Sequence, residues 1–312
     1  MKIFVSGACG YKGTVLVPKL LELGHEVVAF DIMWFGNFLS SHPNLEVVEG
    51  DIREIDSVDL SGVNAIIHLS SIANDPCGDL NPKLTWEVSA LATMQLADKA
   101  SRQGIERFIY ASSGSVYGVK AEDQVTENLE LTPISEYNKT KMVAERVLLS
   151  YSEAMTVQIL RPATVCGYSP RMRLDVAVNL LTMQALTDGV ITVLGGSQTR
   201  PNIHIDDITD AYVFMLHHPE CTGIFNAGFE NISILEIAER ISSKLGVKIN
   251  ILESNDPRSY KVNSDKLLSA GFVPRKTVDD AIEEIILKFK SGELKNEKRF
   301  HNLKWMEEKV LV

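Results

Sequence analysis

Lys2-Ile3-Phe4-Val5-Ser6-Gly7-Ala8-Cys9-Gly10-Tyr11-Lys12-Gly13 lies at the start of the chain. Lys2 to Ser6 reads as a short buried strand, and Val15 to Leu23 places its apolar residues at helical spacing. Gly7, Gly10 and Gly13 therefore fall on a strand-to-helix turn. A dinucleotide fingerprint needs that context: a tight turn, close backbone approach to a pyrophosphate, and tight packing of helix on strand. The N–H groups that open such a helix, with its dipole, receive phosphate. The spacing here is G-x-x-G-x-x-G, one variation on the common G-x-G-x-x-G.

A second strand, Glu26 to Phe30, ends at Asp31, 18 residues past the last glycine. A carboxylate there accepts hydrogen bonds from ribose hydroxyls and repels a 2′-phosphate, so the expected cofactor is NAD, not NADP. A third strand, Glu46 to Val48, leads to Gly50-Asp51-Ile52, where Asp51 is placed to reach an adenine amino group. Farther along, Tyr137 and Lys141 stand at i and i+4 of a helical segment, 24 residues after Ser113. Side chains at that spacing share one face. A cation beside a phenol is expected to lower its pKa from about 10. Ser113 can hold a substrate oxygen while Tyr137 moves the proton. Alone, the Tyr–Lys pair is as readily a solvated helix face; beside the glycine turn and Ser113 it is a candidate catalytic set.

Strand and helix signals alternate to about residue 165. Short apolar runs at 64–69, 107–111 and 156–160 read as buried strands, with long helices at 83–103 and 136–153. The expected fold is α/β, a Rossmann-type doubly wound parallel sheet with a smaller C-terminal substrate-binding domain. The division placed on the sequence is 1–168 plus 203–229 for the first lobe and 169–202 plus 230–312 for the second. The charged tail from 293 reads as a solvated terminal helix.

A chain of 312 residues with 45% hydrophobic content has material for a large core. A net charge of −10 disfavours a nucleic-acid surface. No apolar run approaches the roughly 20 residues that span a bilayer. With a strand beginning at Lys2, the expectation is no leader, no membrane and a cytoplasmic location. Cys9, Cys77, Cys166 and Cys221 are scattered without C-x-x-C, as expected of reduced thiols, and the seven histidines show no metal-ligand spacing. No metal site is expected.

These pieces together resemble the extended short-chain dehydrogenase/reductases, and within them the NAD-dependent nucleotide-sugar epimerases and dehydratases. The resemblance rests on the glycine turn, Asp31, Asp51-Ile52, H-L-S-S at 68–71, S-S-G-S-V-Y-G at 112–118 and Tyr137-x-x-x-Lys141. It continues through L-R-P-A-T-V-C-G at 160–167, G-G-S-Q-T-R-P-N-I-H-I-D-D at 195–207 and D-P-R-S-Y-K-V at 256–262. It implies Ser113, Tyr137 and Lys141 as catalytic residues. It implies cofactor contacts from Gly7, Gly10, Tyr11, Lys12, Gly13, Asp31, Asp51 and Ile52. Leu69, Ser70, Ser71, Ser89, Ser112 and Pro162 complete that implied set, with Tyr137 and Lys141 shared. For a nucleoside-diphosphate sugar it implies Asn74, Ser113, Ser115, Thr164, Arg200 and Arg258, the two arginines being suited to a diphosphate. Arg161, Arg171 and Arg173 are weaker candidates, and Arg161 has a structural alternative. The pattern departs from the family at Ser70 and Ser71, at Ser89 in place of an asparagine, and at Cys166 in place of a tyrosine.

Members that eliminate water carry an acid and a base where this chain has Gly114 and Ser115. The expected reaction is therefore C4 epimerisation through a transient 4-keto intermediate with retained NAD. A 4-ketoreductase or a dehydratase is the alternative, and a non-catalytic NAD-binding scaffold is the remote one. The resemblance also implies a homodimer formed by the helices at 83–103 and 136–153. Leu84, Val88, Leu91 and Ala92 on the first, with Met142, Val143 and Val147 on the second, are the candidate contacts.

Overall fold

The computed structural model describes residues 1–253 and 259–309. Its strands, in chain order, are β1 Lys2–Ser6, β2 Glu26–Asp31, β3 Leu45–Glu49, β4 Ala65–His68, β5 Arg107–Ala111 and β6 Thr156–Pro162. They continue with β7 Thr164–Cys166, β8 Val190–Leu194, β9 Thr199–His204, β10 Gly223–Ala227, β11 Glu230–Ser233 and β12 Lys248–Leu252. Seven strands form a parallel sheet in the order β10-β6-β5-β4-β1-β2-β3. The fold is the expected Rossmann-type doubly wound sheet. Ile3, Val5, Ile66, Ile67 and Ile109 are wholly buried because helices cover both faces of the sheet. The winding reverses between β1 and β4, and a crevice opens there at the carboxyl ends of the strands.

Residues beyond β6 build smaller sheets. β9 pairs parallel with β7 and antiparallel with β11, and β8 pairs parallel with β12. β10 returns to the edge of the large sheet beside β6. His204 joins the two regions: it caps the helix Ile205–His217 and lies 3.0 Å from Glu284.

Three expectations change. The helix expected over 83–103 is three pieces, Pro82–Trp86, a π-turn Glu87–Leu91, and Ala92–Arg102. The π-turn turns Ser89 fully inward, while Leu84, Val88 and Ala92 pack into this chain's own core, so those three cannot form a dimer contact. The helix expected over 136–153 stops at Leu149, with Ser150 at its C-cap. The tail is not a solvated helix. Leu294, Phe300 and Met306 are buried, and the indole N–H of Trp305 donates to the Trp34 carbonyl at 2.8 Å. Its last helix, Asn302–Lys309, thereby packs on the helix Asp75–Leu80 and the core beside it. Among the described residues, no helix is long and apolar enough to cross a membrane.

Candidate active site

A cavity of about 380 Å³ follows the crevice from the glycine turn to the small sheets. Its volume is in the range of ligand sites. Gly7 has φ +71°, and a Cβ on it would lie 2.7 Å from the Ser70 nitrogen. A Cβ on Gly13 would lie 2.3 Å from the Ala8 carbonyl oxygen. The turn is therefore closed to side chains and presents backbone to the cavity. The helix Gly13–Glu22 has no side-chain cap and no acidic residue in its first turn. The Thr14, Val15 and Leu16 N–H groups donate to the Gly10 and Lys12 carbonyls, so a dinucleotide pyrophosphate would meet the backbone of the turn just ahead of them, at the positive end of the helix dipole.

Asp31 sits at one end. Its carboxylate accepts from the Cys9 N–H at 2.9 Å and the Met33 N–H at 2.7 Å, and burial raises its pKa. Two fixed backbone donors orient the group, and each oxygen keeps a lone pair for a ribose hydroxyl. Ile52 and Asp51 line the same end. The Asp51 carboxylate is gripped by Arg53, with contacts from 2.6 to 3.1 Å, so less of it faces an adenine than the sequence reading supposes.

The catalytic candidates meet at the other end. β5 delivers Ser112 and Ser113, and the helix Glu136–Leu149, capped by Ser135, carries Tyr137, Asn138 and Lys141. The Ser113 hydroxyl hydrogen-bonds Tyr137 and lies 2.7 Å from the Ser115 hydroxyl. Ser115 in turn donates to the Asn138 amide oxygen at 2.5 Å. Lys141 donates to the Ala111 carbonyl at 2.8 Å, and its ammonium is 5.9 Å from the Tyr137 ring centroid.

Here the expected electrostatics are corrected. Burial raises the Tyr137 phenol above its ordinary value, and the Ser113 hydrogen bond opposes this only in part. Burial also pushes Lys141 well down, helped by the nearby Lys12 ammonium. Desolvation outweighs the cation the spacing promised.

Behind the site, Glu145 accepts from Ser112 and makes a two-pronged bridge to Arg161 at 2.9 and 2.6 Å. Both members of the bridge are buried. Arg161 also reaches the Tyr117 hydroxyl at 2.7 Å, so it is a structural strut.

Tyr11, Lys12, Leu69, Ser70, Ser71, Pro162, Asn74, Thr164 and Arg200 all line the cavity. Ser89 does not: it is wholly buried, and its hydroxyl accepts from the Ile72 N–H at 3.2 Å and meets Ser71 at 3.1 Å. It supports the wall from behind. Arg258 lies outside the described residues. Asn74 adopts φ +75°, held by capping the next helix through Cys77 N–H and by donating to Asp175 at 3.0 Å. An asparagine in that region is uncommon and marks a constrained wall.

Two of the weaker sequence candidates prove to be part of the site, and the tail that reaches it was not foreseen. Arg173 lines the cavity and is fixed by Asp175 through two 3.0 Å bonds. Arg171 is buried with its guanidinium 3.9 Å from the Phe35 ring and donates to Asn302 of the tail at 2.7 Å. Asn302 and Met306 join Trp34 and Phe35 in lining the cavity. The pairs of apolar and amide residues in the tail were the available signal, hidden among charges.

Comparison with known proteins agrees with this geometry. The NAD dependent epimerase/dehydratase family model matches residues 3–228. A UDP-glucose 4-epimerase of Lactobacillus helveticus is 24% identical over 90% of this chain and 95% of its own. A UDP-glucuronic acid decarboxylase of Danio rerio is 27% identical over 95% of this chain and 74% of its own. The solved UDP-glucuronic acid 4-epimerase of Bacillus cereus, in complex with UDP-glucuronic acid and NAD, superposes with TM-score 0.81. It is 27% identical, covering 93% of this chain and 99% of that one.

Proposed function

The chain belongs to the NAD-dependent epimerase/dehydratase family, and from that membership we propose that it is a nucleotide-sugar 4-epimerase. Its cofactor is NAD. The observation that carries the reaction type is the environment of Tyr137. Ser113, Tyr137 and Lys141 stand together, while Gly114 and Ser115 occupy the places where water elimination needs an acid and a base. Among the described residues, the carboxylates that line the cavity are Asp31 and Asp51, at the adenosine end, and Asp75, which accepts from Ser135 at 2.7 Å. None of the three replaces the missing pair.

In this reading Ser113 orients the sugar C4 hydroxyl and Tyr137 removes its proton. Lys141 supports the phenolate that results, and Asn138 holds Ser115 so that the hydroxyl chain keeps its geometry. Bound NAD supplies the hydride acceptor and, in the second half, the hydride donor. The sugar presents its opposite face to receive the hydride, and Tyr137 returns the proton. Arg200 and Arg258 hold the diphosphate, and Arg173, braced by Asp175, faces the sugar. The same reading makes the protein a cytoplasmic homodimer.

The test is a panel of UDP-, GDP-, dTDP- and CDP-sugars assayed with no added cofactor. A 4-epimer formed at constant NADH content is expected. Loss of water or carbon dioxide, or a stoichiometric demand for reduced cofactor, overturns the epimerase assignment.

A further inference from the structure

The catalytic scheme above assigns the Lys12 side chain no role. It lines the cavity, and its ammonium lies 3.3 Å from the Tyr212 hydroxyl and 5.7 Å from that ring's centroid. Tyr212 is wholly buried and offers no negative charge. Among the described residues no carboxylate lies within 4 Å of Lys12, whereas Lys19, Lys139 and Arg173 each have one. The ammonium is close enough to Lys141 and Arg173 to feel both charges. Its contact Tyr212 belongs to the helix Ile205–His217, which packs against β5 and β6, the strands that end at the serines and at Pro162 of the chemistry end, so Lys12 stands on that side of the cavity and not with Asp31 of β2. The charges there are accounted for: Arg173 is balanced by Asp175, and Glu145 is shared between Arg161 and the field at Lys141. Lys12 adds an uncompensated positive charge to a desolvated wall, which costs stability unless function requires it.

Oxidised nicotinamide is a cation, and the reduced ring is neutral. We propose that Lys12 is a redox-poising residue: its charge at the nicotinamide end disfavours the oxidised ring and favours the reduced one, making bound NAD a stronger hydride acceptor. This rests on the assignment of that end to the chemistry. The pyrophosphate carries the same charge in both redox states, so any attraction between it and Lys12 cancels in the ratio of the two affinities. Only the ring's charge remains in that ratio.

The experiment measures dissociation constants for NAD+ and NADH, by calorimetry and by NADH fluorescence, with no sugar present. Lys12→Met keeps the length of the side chain and removes its charge. The ratio of the NAD+ constant to the NADH constant is expected to fall by about tenfold, a modest share of the repulsion between two charges in a partly buried site. Lys12→Arg is expected to keep the wild-type ratio. Equal weakening of both affinities means that Lys12 serves only the pyrophosphate, and an unchanged pair of affinities means that it serves neither; either result overturns the proposal. If Lys12→Met does not fold, Lys12→Gln takes its place with the same expected ratio. Failure of the catalytic reading would register separately, as full turnover in Tyr137→Phe with the affinity ratio untouched.

Discussion

Burial, more than the neighbouring ammonium, sets the Tyr137 phenol. Its pKa lies above the ordinary tyrosine value, with desolvation the largest cause, so the group is protonated at neutral pH. Proton abstraction needs the phenolate, whose fraction grows about tenfold per pH unit until the pKa is reached. The pH profile of kcat/KM is therefore expected to climb from neutral toward alkaline pH. Tyr137→Phe removes the proton carrier and is expected to lower kcat by roughly 10²–10⁴-fold and to abolish that climb. A phenylalanine variant with a wild-type rate, or with the same rising limb, would remove Tyr137 from the chemistry. Ser113→Ala is expected to cost less, because it removes an orienting hydrogen bond. At this scale the sequence was informative: glycine spacing, the acid after β2 and an i, i+4 pair are local patterns. The Lys141 contact to Ala111 and the Ser115–Asn138 bond join distant segments, and no local pattern announces them.

The elements that carry these residues are held by buried polar struts. The helix Glu136–Leu149 is pinned to β6 by Glu145 and Arg161, which also ties Tyr117 to Asn226 through the phenol. Removing one charge of a buried pair strands the other. Glu145→Gln is expected to destabilise the fold by about 3–5 kcal/mol, measured by urea denaturation, and to loosen Ser112 and Lys141 with it. Replacing both partners, as Glu145→Gln with Arg161→Met, is expected to cost less than Glu145→Gln alone, since no bare guanidinium remains. A loss under about 1 kcal/mol for the single variant would show that the helix is held by apolar packing alone. Helical and strand periodicity made these elements readable, but not the π-turn at Glu87–Leu91. One extra residue per turn shifts the inward face, and that shift buried Ser89 behind the wall it was expected to line.

Across the whole molecule, the tail and the outer helices extend the site beyond the sheet. Leu294, Phe300 and Met306 are spaced six apart among lysines and glutamates, too sparse a pattern to read as a packed segment. In the fold they anchor a strap that carries Asn302 to Arg171 and closes the cavity beside Trp34 and Phe35. Deleting residues 293–312 is expected to speed NAD release by at least about tenfold, read by stopped-flow fluorescence, because a wall of the cofactor end is lost. An unchanged release rate in a folded truncation would make the strap a packing element only.

Assembly follows from what the core leaves uncovered. Leu84, Val88 and Ala92 serve the chain's own interior, but Leu91 and Met94 are 46% and 40% exposed on the same helical run. Met142, Val143 and Val147 are half-buried on the helix Glu136–Leu149, which packs directly against that run. These side chains form an apolar strip over two adjacent helices, and a two-fold axis through it would bring four helices together from one self-complementary patch. Light scattering at micromolar concentration is expected to give twice the 34.6 kDa chain mass. Leu91→Glu with Val143→Asp would place four carboxylates in such a contact and is expected to yield a folded species of single-chain mass. A single-chain mass for the wild type at that concentration would assign the strip to the chain's own surface and remove the dimer.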